Sequence, residues 1–479
     1  MLALALVIVP LVFALLAMVV PQRVRPWLLV VAGAVQLALA GVALSMPVVG
    51  GLNGWLLLDG VGRLVLAFTT LLFFLCVIYA RGYLAFHPER SNRNFIACLL
   101  AFMAMMTLMI EAQHLGLMWV ALETLTLASA PLVYFEQGPR ALEATWKYLL
   151  IGSVGIALAL LGSLFLAYSA LRGGVAPSLL QADLTADAAR LSRPWLRSAF
   201  VIRFIGYGTK MGLAPMHTWK PDAYGEAPGV VGALLAGGVT SCAFMAILRF
   251  LRICAAAGDA TFARQLMVVM GLLSMAVAGA FVARQKDFKR MLAYSSVEHM
   301  GILVLGVGIG GAAVFGAMLH MVNNALTKGV LFMSAANIQR AYGSKSTDDV
   351  RGALRRVPVS AGLLLAGFFA ITGSPPFGPF LSEFTILNAT IAGGHWFVAA
   401  LFLLLLAVVF IGMGSTVLAV VQGEAPKATT EAKSTRGVRF SFVAPAVLLL
   451  GLVLLLGVYI PKPLSDLLHG AAASVEVFR

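Results

Sequence analysis

Charge is scarce in this 479-residue sequence: Asp, Glu, Lys and Arg together make up 11%, against about 25% in soluble proteins. So few charges cannot cover the surface of a water-exposed globular protein of this length. Cysteine is nearly absent. Cys76, Cys98, Cys242 and Cys254 lie in or at the ends of apolar segments, with no CxxC, CxxCH or Cys/His cluster. They read as small buried hydrophobes, and no iron–sulfur centre, c-type haem or zinc site of the chain's own is expected. Nucleotide motifs are missing too. No P-loop occurs, and the glycine-rich GVGIGG at 306–311 ends an apolar run with no strand before it and no acidic residue after it. Close helix packing is the better reading of those glycines. The chain therefore has no redox, hydrolytic or NTP centre of its own.

What the sequence has in abundance is apolar length: 61% of residues are hydrophobic, against roughly 45–50% in soluble domains. Apolar runs fall near 2–20, 27–47, 60–80, 95–110, 115–135, 146–170, 199–214, 228–251, 264–283, 291–309, 312–336, 357–391, 395–421 and 440–460. The alternating strands of a membrane barrel are not visible, so an all-α polytopic membrane protein with about fourteen transmembrane helices is predicted. The N-terminus lacks a charged n-region and a small-residue cleavage site, and reads as a first transmembrane helix. The net charge of +14 looks at first like nucleic-acid binding, but there is no basic arm. The basic residues concentrate in alternate loops: Arg23, Arg25, Arg81, Arg90, Arg93, Arg140, Lys147, Lys220, Arg284, Lys286, Lys289, Arg290, Arg340, Lys345, Arg351, Arg355, Arg356, Lys427, Lys433, Arg436 and Arg439 on one side. Fewer, including Arg203, Arg249 and Arg479, fall on the other. The positive-inside rule then puts both termini outside a bacterial or archaeal cytoplasmic membrane. Arg63, at a span end, is expected to snorkel.

Two spans contain proline-rich breaks, LAPMHTWKPDAYGEAPG in the seventh and TGSPPFGPFLSEF in the twelfth. Proline breaks the helix ladder, and broken helices at membrane depth are tolerated where they line a cavity or lie within protein. The breaks are five spans apart, which points to inverted repeats. The expected organisation is flanking helices over 1–90 (spans 1–3), a first repeat over 91–255 (spans 4–8), a second over 256–421 (spans 9–13), and a loop with span 14 over 422–479.

Charged groups inside the membrane cost about 2.5–3.5 kcal/mol each on insertion scales, so each needs a reason. Glu123 sits near the centre of span 5 and Lys210 just before the break of span 7. His299 lies early in span 10 beside Glu298. His320, Asn324 and Lys328 share one stripe of span 11, and Glu383 follows the break of span 12. Singly, each has a plainer reading: a Glu123–Lys210 ion pair locking two helices, buried hydrogen-bonded histidines, a snorkelling Lys328, or a carboxylate favoured at a helix start. Together they form an acid–base series suited to a proton relay.

Three stretches, TKMGLAPMHTWKPDAYGEAPG, DFKRMLAYSSVEHMG and HMVNNALTKGVLF, resemble the antiporter-like, proton-translocating membrane subunits of respiratory complex I and its hydrogenase relatives. The resemblance covers roughly residues 60–420. WVALETLTLASA, HTWKPDAY and GSPPFGPFLSEF look most like the component F branch of hydrogenase-4, a membrane-bound group 4 nickel–iron hydrogenase. The resemblance implies relay roles for Glu123, Lys210, His299, His320, Lys328 and Glu383, with no cofactor or metal site in this chain. Iron–sulfur clusters and a NiFe centre or flavin are implied in partner subunits, among other antiporter-like and peripheral redox subunits of a large complex. The chain departs from the family where a span 8 lysine is usual. Ser241 falls there, beside Thr240, and Asn324 stands where some members have a second histidine. Water held by Thr240 and Ser241 is the expected bridge. Ending soon after span 14, the chain is expected to be an inner member of the array. The alternatives are a secondary Na+/H+ antiporter subunit and a non-pumping structural spacer.

Overall fold

The computed structural model describes residues 1–86, 90–176, 178–283, 285–423 and 442–476. Arg284, Lys427, Lys433, Arg436, Arg439 and Arg479, counted in the charge asymmetry, lie outside the described residues, as does the start of the run predicted at 440–460.

The described chain is helical almost throughout. The N-terminal part comprises α1 (Leu2–Val19), α2 (Arg25–Ser45), α3 (Gly60–Ala85), α4 (Arg93–Glu111), α5 (Leu115–Val133) and α6 (Pro139–Arg172). A short α7 (Gln181–Ala186) leads to α8 (Arg193–Met211), α9 (Trp219–Glu226), α10 (Gly229–Leu234) and α11 (Thr240–Ala256). Then come α12 (Ala260–Val282), α13 (Phe288–Ile309), α14 (Ala312–Tyr342), α15 (Ala353–Arg356), α16 (Pro358–Ile371) and α17 (Gly378–Ala392). The last described helices are α18 (Trp396–Val421), α19 (Ala444–Val458) and α20 (Lys462–Glu476). Among the described residues, ten helices are long and apolar enough to cross a membrane, or up to eleven if the bent pair α19–α20 is one span. The other predicted runs are helical but interrupted, short or polar: α8 carries Arg193, Arg197, Arg203 and Lys210, and α14 carries His320, two asparagines and Lys328.

Local chemistry sets the helix ends. The Asp59 carboxylate caps α3 by accepting from the Gly62 N–H at 2.8 Å, and Asp287 caps α13 through the N–H groups of Lys289 and Arg290. Both predicted breaks are present. α8 stops at Gly212, with φ +85°, and α9 starts at Trp219. α16 stops at Ile371 and α17 starts at Gly378. Each break holds a cis X–Pro bond, Ala214–Pro215 and Pro375–Pro376. A π-helical segment, Leu235–Val239, separates α10 from α11.

Burial sorts the helices into layers. The segment from α10 to α11, α13 and most of α14 are enclosed by protein, whereas α1, α2, α6, α12 and α18 present apolar side chains outward. α6 and α8 lie close together because Gly206 faces Ala159: a Cβ at Gly206 would sit 2.5 Å from the Ala159 nitrogen. That contact fixes the height of Lys210, one turn further along α8. Of the GVGIGG glycines, Gly308 packs closely on α12, while Gly310 and Gly311 make the positive-φ turn into α14.

Burial also corrects part of the charge assignment. Lys220, Lys289, Arg203 and Arg249, predicted in loops, are 0–2% exposed. The Arg249 guanidinium holds Asp59 through two contacts, at 3.0 and 3.1 Å, and ties down the carbonyls of Met109, Ile110 and Ala112 at the end of α4. The fork of an arginine suits this bidentate work. Arg63 does not snorkel to water alone, since it binds the carbonyls of Met46 and Pro47 past the end of α2.

Candidate functional site

Glu123 on α5 and Lys210 on α8 are not an ion pair in contact. The Glu123 Oε1 accepts from Ser153 Oγ of α6 at 2.9 Å, and its Oε2 is buried without a partner. Lys210 is fully buried and its Nζ has no hydrogen-bond partner. The amine lies 4.1 Å from the centre of the Tyr148 ring, an arrangement that favours the cation. Glu123 is still close enough for its charge to act on Lys210. A locked structural pair is thereby replaced by two separately held groups with unused hydrogen-bonding capacity. Gly152 leaves the room for this: a Cβ there would stand 2.9 Å from Nζ. Gly152→Ala should displace the amine, lowering proton translocation severalfold at normal complex yield; reconstituted vesicles would show it.

Sequence reasoning missed Lys220. The break in the seventh span folds it inward, where Nζ donates to the carbonyls of Met211 at 2.8 Å and Ser296 at 3.3 Å. A neutral amine has two hydrogens and is satisfied by these two acceptors, whereas an ammonium has a third to place. The site therefore suits a group that gains and loses a proton. The clue was its flanking sequence, Trp219 and Pro221, inside a span break. Lys328 on α14 is also fully buried and does not snorkel. Its Nζ donates to Ser295 Oγ at 2.7 Å and to the Leu292 carbonyl at 3.2 Å, both on α13. Lys220 and Lys328 are thus held by successive turns of one helix face.

Beyond them runs a hydrogen-bond chain. His299 Nδ1 meets His320 Nε2 at 3.0 Å, and His320 Nδ1 meets Ser382 Oγ at 2.9 Å. Ser382 donates to the Pro379 carbonyl at 2.8 Å, so its oxygen must accept from His320 Nδ1–H. Neutral His320 then accepts at Nε2, and His299 donates from Nδ1. This leaves the His299 Nε2 lone pair without a partner, 4.0 Å from Glu298 Oε2. A proton arriving at that nitrogen releases one from Nδ1 to His320. Glu383 is 6% exposed, with Oε1 unpartnered. One donor atom from each of His299, His320 and Glu383 lies within 4.8 Å of the others, a gap one water spans. Glu383 does not stand open to solvent as expected but is nested against Gly373, whose φ of +67° suits glycine. Asn324 is buried, with both amide atoms unpartnered.

The expected bridge at α11 is differently occupied. Thr240 and Ser241 donate to the carbonyls of Ala236 and Gly237 in the π-helical segment, at 2.6 and 2.7 Å. Their hydrogens are spent on their own helix, and Lys220 supplies the titratable group in the middle of the line. The double Val variant should therefore lower thermal stability by about 1 kcal/mol per lost hydrogen bond and leave translocation near normal. Melting curves beside vesicle assays would test both halves.

Residues 112–410 match the family model described as NADH:quinone oxidoreductase/Mrp antiporter, TM. The chain belongs to this family. A hydrogenase-4 component F homolog of Methylacidiphilum infernorum is 34% identical over 419 residues, covering 85% of this chain and 86% of the relative. NADH-quinone oxidoreductase subunit N of Desulforudis audaxviator is 31% identical, covering 83% of this chain and 82% of the relative. The antiporter-family fold is shared with solved structures. A chain of Thermus thermophilus respiratory complex I with bound aureothin superposes with a TM-score of 0.77 at 26% identity, covering 96% of this chain and 98% of that one. A chain of the archaeal membrane-bound sulfane sulfur reductase gives 0.87 at 22% identity, covering 99% and 98%. One from the Mrp complex of Dietzia sp. gives 0.85 at 20%, covering 100% and 97%.

Proposed function

We propose that this chain is the proton-translocating subunit of a membrane-bound oxidoreductase complex of the hydrogenase-4 or NADH:quinone type. The observation that carries this reading is the line of buried, incompletely satisfied titratable groups from Glu123 and Lys210 through Lys220, Lys328, Glu298, His299 and His320 to Glu383. Burying such groups is costly unless they work. Their spacing, by direct hydrogen bond or about one water, is what proton transfer requires. The matched family and the named relatives, subunits of hydrogenase-4 and NADH-quinone oxidoreductase, support the same reading.

In this scheme the two broken spans belong to two inverted five-helix repeats, both termini face outward, and the membrane is the cytoplasmic one. Redox energy comes from partner subunits that hold iron–sulfur clusters and a NiFe centre or flavin. Further antiporter-like subunits and lipid cover the outward apolar faces of α1, α2, α6, α12 and α18. Loading begins when Glu123 turns towards Lys210 and stabilises its ammonium. Withdrawal of the carboxylate then drives the proton on towards Lys220.

Glu123→Gln should therefore weaken translocation while the complex still forms, because Gln keeps the Ser153 hydrogen bond and loses the charge. Proton uptake into vesicles, normalised to complex content and redox rate, tests the reading. Unchanged uptake per electron in this variant would remove Glu123 from the relay. A complex that disappears while its assembled remainder translocates normally would make Glu123 structural.

A further inference from the structure

A cavity of about 230 Å3 opens where α3, α9, α13 and α14 meet, at the end predicted to face the cytoplasm. Its mouth is formed by exposed Glu136, Arg340 and Gly343, and its floor by buried Tyr79 and Lys289. The cavity has room for several waters at about 30 Å3 each. Acidic groups stand round it: Glu136 accepts from the Tyr83 hydroxyl, and Glu226 Oε1 pairs with Lys345 Nζ at 2.6 Å.

Lys289 is unusual for a lysine in the first turn of a helix. It is 2% exposed, and its Nζ has one protein acceptor, the Ala227 carbonyl at 2.8 Å. An ammonium there has two further hydrogens to place, and the cavity is the space available for their acceptors. The charges acting on it are Lys345, Asp287, Glu226 and Glu136. One turn further along α13 is Leu292, whose carbonyl binds Lys328 Nζ, and Ser295 of the following turn binds the same amine. A turn rises about 5.4 Å, so the floor of the cavity and the second half of the relay are neighbours on one helix.

We propose that this cavity is a water-filled port for proton uptake and that Lys289 passes protons from it to Lys328. A hydronium in the cavity gives its proton to the neutral Lys289 amine and becomes water. The Lys289 ammonium then protonates neutral Lys328 through the Ser295 hydroxyl or a water beside it, and returns to the amine. The second half of the relay is thereby loaded without passing Lys210. The proposal rests on the proton-translocating reading above.

The test uses the assembled complex in sealed vesicles. Lys289→Arg keeps a cation and donors for the Ala227 carbonyl but cannot give up a proton; Lys289→Met loses both. Both should lower translocation per complex by about tenfold or more. Wild-type translocation in Lys289→Arg with loss only in Lys289→Met would make Lys289 structural and overturn its role. Gln339→Cys, on the cavity wall, should react with a membrane-impermeant maleimide in inside-out vesicles and be protected in right-side-out ones. Protection in inside-out vesicles would overturn the port. Lys210→Ala is assayed alongside. If that variant translocates normally the relay reading fails, whereas normal Lys289→Arg beside a failed Lys210→Ala sinks the port residue alone.

Discussion

Lys210→Ala should assemble at wild-type yield and lose translocation through this subunit by about 100-fold or more, in the range expected when a positioned proton-transfer group is deleted. Nothing structural leans on the amine. It has no hydrogen-bond partner and rests on the Tyr148 ring, and the end of α8 is set by Gly212 instead. Alanine is a good helix former, so the price is a small cavity beside Tyr148. What disappears is the group that answers the Glu123 charge. Co-purification of the partner subunits would check assembly, and proton uptake in vesicles at equal complex content would check function. Assembly with wild-type uptake would remove Lys210 from the relay.

Lys220→Met should have a comparable effect for a partly different reason. Methionine fills the volume with an unbranched chain, but the Met211 and Ser296 carbonyls lose their shared donor. Each buried unsatisfied acceptor costs about 1–3 kcal/mol, so this variant should melt earlier as well as fail to translocate. Lys220→Arg separates the two effects. Its guanidinium can still donate to both carbonyls but does not deprotonate. It should melt near the wild type and translocate no better than Lys220→Met. Recovery of translocation in Lys220→Arg would show that the residue serves only as a cationic strut between α8 and α13.

Much of this arrangement was legible in the residues. Apolar run length announced the helices, and Pro215, Pro221, Pro375 and Pro376 announced the two breaks, because proline cannot continue a hydrogen-bonded ladder. Lys210, His299, His320, Lys328 and Glu383 stood out as ionisable residues in apolar surroundings, and the structure buries them all. Lys220 and Lys289 were not legible in this way. Loop assignment treats each basic residue near a span end as water-facing, and only the fold shows that α9 turns back into the bundle and that the start of α13 lies under the cavity. The separation of Glu123 from Lys210 was equally hidden. Opposite charges on neighbouring helices suggest a contact, but Ser153 on α6 holds the carboxylate instead. The middle of the relay was obscured by a single substitution pattern, Thr240 and Ser241 in place of a lysine, whose loss Lys220 makes good from another helix.

The central claim is that protons pass along this line, and the number of protons moved per electron in sealed vesicles measures it most directly. His320 is the best position to probe, because it alone hydrogen-bonds both His299 and Ser382 in the chain. In His320→Ala the account predicts that this ratio drops by the share this subunit contributes, or that turnover stalls because coupling is tight. A wild-type ratio at wild-type turnover in that variant would contradict the account.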